Sequence, residues 1–180
     1  MMTDADRGSG YNTCMRRVLI VFVGGGIGAC LRALLVAWLA PWSAVLPLPV
    51  LLANLLGSFA LGVVFVLADE ARVLSTETRL FVAVGVLGGF TTFSTFAWGA
   101  DLLLSDAASL ASGLVYIAAS LIGGILAVGA GLRGGRALAA TLKYRGIEPL
   151  PSRQTGHTRV GEAAADIATI EAEDRFDAVP

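Results

Sequence analysis

A chain of 180 residues that is 56% hydrophobic and only 15% charged, with a mean hydropathy of +0.74, is too apolar for a soluble domain of its size and reads as a membrane protein. The formal net charge of −1 conceals an uneven distribution, because residues 33–68, 80–100 and 107–132 carry no charge. Cys14 and Cys30 form neither a disulfide framework nor a metal motif, and His157, the single histidine, reads as a solvated side chain in a polar tail.

In chain order, Met1 to Met15 is a polar, Gly-rich leader, followed by Arg16, Arg17 and an apolar run from Val18 to Ala40. This run is too long for a signal-peptide core and contains Arg32, so it is read as a first span. Pro41 to Pro49 gives a short uncharged turn with Trp42 at the interface, and Val50 to Ala68 is long enough for a second span. After the polar loop Asp69 to Arg79, a third span runs from near Leu80 to Asp101. Its centre, Gly85 to Trp98 (GVLGGFTTFSTFAW), joins Gly88 and Gly89 to Thr91, Thr92, Ser94 and Thr95 interleaved with Phe90, Phe93 and Phe96. That is poor material for a straight helix, and a break is expected. Within a bilayer, the freed backbone groups then need protein partners, a bound ion or a polar cavity. Leu110 to Leu132 is the fourth span, and Arg133, Arg136, Lys143 and Arg145 follow as a basic segment.

The expectation is an all-α membrane protein with a leader over 1–15, a four-span domain over 16–136 and a polar, mostly disordered tail over 137–180, with a short helix near Glu162 to Glu173. With four spans, the N-terminus, the second-to-third loop and the C-terminus share one side. Arg16, Arg17, Arg72, Arg79, Arg133, Arg136, Lys143 and Arg145 all fall there, and the opposite loops have no Lys or Arg. The positive-inside rule makes both termini cytoplasmic in a multi-pass plasma-membrane protein.

VLIVFVGGGIGA imitates a dinucleotide fingerprint with Gly24, Gly26 and Ala29, but no carboxylate follows at the required distance. Close helix packing explains the spacing better: Gly24 with Gly28, or Gly25 with Ala29 and Ala33, and likewise Ser58 with Gly62 and Gly123 with Ala127 and Gly131. Polar groups within spans are costly and more informative. They are Arg32, Asn54, and the pair Tyr116 and Ser120, which lie four apart on one helix face continued by Gly124. The plain reading of Asn54 is an interhelical hydrogen bond; that of Ser58 and Ser120 is a hydroxyl bonded back to its own helix; that of Arg32 is snorkelling to the interface.

From Val18 to Leu132 the chain resembles the small prokaryotic fluoride channels called Fluc, or CrcB. The likeness rests on GGGIGACLR (Gly24 to Arg32), ANLLGSFALG (Ala53 to Gly62) and, most specifically, GVLGGFTTFSTF (Gly85 to Phe96). It implies an antiparallel dimer of four-helix subunits with two pores along the interface. It also implies a structural sodium ion held by backbone carbonyls of Gly88 and Thr91, a use of unwound backbone that suits a hard cation. The resemblance places fluoride against the ring edges of Phe93 and Phe96 and the amide N–H of Asn54, along a hydroxyl track of Ser94, Thr95, Tyr116 and Ser120. Arg32 falls at a vestibule, where positive charge gathers anions. Phe90 stays as packing. Two departures stand out: Ala97, Trp98 and Gly99 replace an acidic residue often found after the second pore phenylalanine, and the tail has no counterpart.

The expected activity is passive fluoride export rather than enzymatic chemistry, and the expected partners are the bilayer, fluoride and a second subunit, not nucleic acid. The one-sided Lys and Arg placement suggests an antiparallel partner of opposite bias, a paralogue, with a homodimer otherwise. One rival is a small four-span proton-coupled exporter of organic cations, which would need an embedded carboxylate. A second is a non-transporting membrane assembly factor, which leaves Asn54 and the Phe-rich segment unexplained.

Overall fold

The computed structural model describes residues 4–43, 46–147 and 150, and among these the regular structure is entirely helical. Of the expected tail, residues 137–144 are helical, while the part from 151 on, with the helix expected over 162–173, lies outside the described residues. Among the described residues, four stretches are long and apolar enough to cross a bilayer: Thr13–Trp42, Leu48–Glu70, Thr76–Ser105 and Leu110–Tyr144. Large apolar side chains such as Phe22, Trp38, Leu56 and Ile125 point outward along them, as a lipid- or subunit-facing exterior requires.

Helix α1 (Asp4–Leu39) already begins within the polar leader and ends in a 3-10 turn, Ala40–Trp42, at Pro41. Helix α2 (Leu48–Phe65) has Pro49 in its first turn, where a missing N–H is harmless, and widens into a π-helical turn over Val66–Glu70. The connection read as a polar loop contains a helical turn, α3 (Thr76–Arg79), whose start is fixed by the Ser75 hydroxyl accepting from Thr78 N at 3.1 Å. The chain continues as π-helix over Leu80–Leu87 and as the short α4 (Gly88–Phe90). Thr91 (φ −81°, ψ 156°) and Thr92 (φ −152°, ψ 124°) are extended, and α5 (Phe93–Ser105) starts after them.

Helix α6 (Leu110–Tyr144) has 35 residues, well past the Leu132 limit of its apolar run. At about 1.5 Å per residue it is some 50 Å long, against about 30 Å of hydrocarbon, so its basic final turns stand outside the membrane. It stops in a Schellman motif. Gly146 takes φ +77°, its N–H donates to the Lys143 carbonyl at 3.0 Å, and Ile147 N–H donates to the Leu142 carbonyl at 3.2 Å.

The helices pack as two tight pairs, α2 on α6 and α1 on the segment from Leu80 to Phe90. Glycines set both contacts. A Cβ on Gly24 would come within 2.7 Å of the Phe81 carbonyl, one on Gly28 would collide with the Val86 carbonyl, and one on Gly89 would collide with Gly25. Gly62 and Gly131 face each other in the other pair, where a Cβ on Gly131 would run into the Phe59 carbonyl. Gly24, Gly28, Gly62 and Gly131 of the sequence stripes are therefore close backbone approaches, whereas a Cβ on Gly25 would meet nothing within 4 Å and one on Gly123 only the Leu55 side chain. Gly131→Ala is expected to lower the thermal midpoint in detergent, by an overpacking cost of roughly 1–3 kcal/mol. Gly134→Ala, whose Cβ would stand 3.7 Å from Phe59 Cζ, is expected to leave the midpoint unchanged or raise it. Equal shifts in the two variants would rule out backbone contact as the cause.

At one end of the bundle, ion pairs join Arg16 to Glu77, Arg79 to Asp69 at 2.8 Å and Arg136 to Glu70 through two bonds of 2.9 Å. They tie the α1 leader, the connection from Val66 to Arg79 and the end of α6 together. The described Lys and Arg residues other than Arg32 collect at this end by position in the chain.

Candidate functional site

The site forms where the third apolar stretch leaves helical geometry. Thr91 N–H and the Thr91 hydroxyl both donate to the Leu87 carbonyl, each at 2.9 Å, and the chain then turns outward. In a continuous helix, Thr92 N–H would donate to the Gly88 carbonyl. Here it donates to Asn54 Oδ1 at 2.8 Å, while Asn54 Nδ2 donates to the Thr92 carbonyl at 3.0 Å. A single amide side chain on α2 thus satisfies both backbone groups of an extended, buried residue. Thr92 is buried, and its hydroxyl caps α5 by accepting from Thr95 N at 3.3 Å, with the Ser94 and Thr95 hydroxyls each 3.2 Å away.

This arrangement takes regular helical amides away from carbonyls at the turn, those of Gly88 and Thr91 among them. That of Gly88 loses its regular α-helical amide to Asn54, and that of Thr91 faces Arg32, whose Nη1 stands 3.5 Å from it. Arg32 is half-buried and reaches inward along α1 toward this backbone. A cavity of about 360 Å³ opens here, lined by Asn54, Ser58, Gly88, Thr91, Thr92 and Phe93 among others. Gly57, also in the lining, leaves room for the Thr91 methyl group, which a Cβ at that position would strike.

A row of rings leads away from the turn. Phe93 is 77% exposed, its centroid lies 5.7 Å from that of Phe96, and Phe96 lies 5.4 Å from Tyr116, which is 1% exposed. Tyr116 is seated by Gly99, where a Cβ would come within 2.9 Å of Pro47 Cγ and 3.7 Å of the tyrosine ring. Beyond the rings, Tyr116 Oη and Ser120 Oγ are buried and have no hydrogen-bond partner among the described residues. Such a group costs roughly 1–3 kcal/mol unless something fills its place.

The structure therefore gathers Arg32, Asn54, Gly88, Thr91 and Phe93 around the turn and places Phe96, Tyr116 and Ser120 along one continuation of it. Ser94 and Thr95 are exposed and turned toward the Thr92 hydroxyl. Sequence reasoning missed Thr92 as a site residue. The available signal was a threonine three positions before Thr95 at the point where helix resumes, an N-cap pattern.

The architecture is that of a small four-helix membrane protein with a ring-lined polar site facing its interruption. The chain belongs to the CrcB-like family, described as CrcB-like protein, Camphor Resistance, which it matches over residues 19–132. Curated relatives are similar to it as well. Proteins named fluoride-specific ion channel FluC from Chlorobium chlorochromatii and Roseiflexus sp. are each 42% identical, over 97 and 98 residues that cover 54% of this chain and 75% and 79% of theirs. One of that name from Thermus thermophilus is 42% identical over 109 residues, covering 57% of this chain and 80% of its own.

Proposed function

We infer that this chain forms a fluoride-selective channel that drains the anion passively from the cytoplasm. The observation that carries the reading is the row from Phe93 and Phe96 to the buried, partnerless hydroxyls of Tyr116 and Ser120, in a chain whose family relatives are named for fluoride. Aromatic rings are electropositive at their edges and hydroxyls donate, so the two together can replace the water around a small anion. Fluoride enters cells as neutral HF and is trapped as the ion at cytoplasmic pH. A leak driven by the inside-negative potential lowers its concentration without ATP. The rival proton-coupled exporter lacks its embedded carboxylate: Asp69, Glu70 and Glu77 belong to the ion-paired end, while Asp101 and Asp106 lie toward the other end of the bundle.

In this reading the extended pair Thr91 and Thr92 is the break in the third membrane helix, and the subunit pairs antiparallel with a second across the exposed Phe93 face. The carbonyls of Gly88 and of Thr91, the latter beside Arg32, are oxygen donors suited to a structural sodium ion shared between subunits. Oxygen donors fit that ion, and among the described residues no His, Cys, Asp and Glu cluster competes for the role. A bound cation would compensate the loss of helical hydrogen bonding at the turn. Asn54, Phe93, Phe96, Ser94, Thr95, Tyr116 and Ser120 line the pore, with Arg32 near its mouth. Both termini are cytoplasmic, and the one-sided Lys and Arg placement favours a paralogue of opposite bias as partner.

Channel purified from native membranes with any accompanying subunit and reconstituted in liposomes is expected to release fluoride and to retain chloride. Equal release of both ions would overturn the fluoride-channel reading. The chain expressed alone is expected to transport poorly. Robust transport with tags accessible on both faces would instead make it a homodimer.

A further inference from the structure

We propose that the Ser58 hydroxyl contacts fluoride and carries it between the Asn54 cavity and the hydroxyl face of α6; this rests on the channel reading above. Ser58 stands one helical turn after Asn54 on α2 and lines the same cavity of about 360 Å³. A serine or threonine inside a helix normally donates to the carbonyl four residues back. Elsewhere in the chain Ser43, Thr91, Ser105 and Thr141 do so, at 2.9, 2.9, 2.8 and 3.0 Å. Ser58 makes no hydrogen bond to any described residue, so its donor is free. This corrects the simple expectation for Ser58, and Ser120 departs from that expectation in the same way.

The position of this free donor is specific. Tyr116, Ser120 and Gly124 recur at four-residue spacing on one face of α6, and the hydroxyls of the first two are buried without partners among the described residues. The third step has no side chain. Across the α2–α6 contact, Ser58 Oγ lies 3.9 Å from the point where a Cβ on Gly124 would stand. The hydroxyl absent from α6 is thus supplied by α2, and the line of donors continues to the cavity that Asn54 borders. If Ser58 served only as a small packing residue beside Gly124, nothing would prevent its hydroxyl from bonding back to its own helix.

The test moves the hydroxyl. Ser58→Ala is expected to reduce fluoride efflux from liposomes about tenfold, the effect of one hydrogen bond to an anion, with the thermal midpoint in detergent unchanged. Ser58→Ala combined with Gly124→Ser returns a hydroxyl to the same gap from the other helix and is expected to restore most of the flux. The space admits it, since a Cβ at Gly124 meets only the serine oxygen that the first change removes. Wild-type flux in Ser58→Ala, beside a defect in Tyr116→Phe, would overturn the role of Ser58 and leave the channel standing. Loss of flux with a lowered midpoint and no restoration by Gly124→Ser would also overturn it. No fluoride flux in the parent channel would remove the channel reading itself.

Discussion

Replacing Asn54 with leucine is expected to abolish fluoride efflux and to lower the stability of the isolated channel by several kcal/mol. The leucine is close in volume, so packing against α2 and the third span is retained. What is lost is the pair of bonds at 2.8 and 3.0 Å that satisfies Thr92 N–H and C=O. Each backbone group left unpaired in an apolar setting costs roughly 1–3 kcal/mol, and the total is a large fraction of the about 5–15 kcal/mol by which a domain is folded. The chain can recover those bonds only by returning Thr92 to helical geometry, which withdraws its hydroxyl from the cap of α5 and turns Phe93 and Phe96 away from their present direction. Asn54→Asp separates the two effects. It keeps an acceptor for Thr92 N–H but sets a negative charge against the Thr92 carbonyl and in the path of an anion, so it is expected to fold better than the leucine variant and still fail to conduct. Liposome efflux and thermal midpoints check both. A leucine variant with parental flux and midpoint would show that this side chain does not hold the turn.

The fold was largely legible because charge-free runs of membrane length have few alternative uses. The boundaries were less so: polarity marks where lipid ends, not where a helix ends, and both α1 and α6 continue as helices into solvent, to Asp4 and Tyr144. At the site, the string from Gly88 to Phe96 pointed to irregular backbone, since glycine, threonine and serine hold helical geometry weakly. The partner of that backbone was not legible. Asn54 is 38 residues from Thr92, and nothing local distinguishes an amide that bonds a ligand from one that bonds a backbone. The same holds for Ser58, whose spacing with Gly62 fits a packing stripe and whose unpaired hydroxyl becomes visible only beside Gly124. Gly57 was passed over for a similar reason, because the methyl group it makes room for belongs to Thr91.

Phe96→Ile is expected to cut fluoride efflux by at least about tenfold while leaving assembly close to that of the parent. Phe96 is half-buried between Phe93 and Tyr116, at centroid distances of 5.7 and 5.4 Å and interplanar angles of 47° and 40°. The rings are tilted rather than stacked, and the electropositive rim of a phenyl ring is the feature an anion can use. Isoleucine fills most of the volume, so the apolar contact that positions α5 beside α6 survives. The tilted-ring contacts with Phe93 and Tyr116, worth about 0.5–1.5 kcal/mol each beyond area, are lost along with the rim. If Phe96 were packing alone, the isoleucine channel would lose stability in proportion to those contacts and keep its flux. If its edge solvates fluoride, flux falls well beyond what that loss of stability explains, and Phe96→Tyr, which keeps an edge, transports better than the isoleucine form. Measuring efflux and midpoint on the same preparations distinguishes the two, and parental flux in Phe96→Ile would remove this ring from the pore.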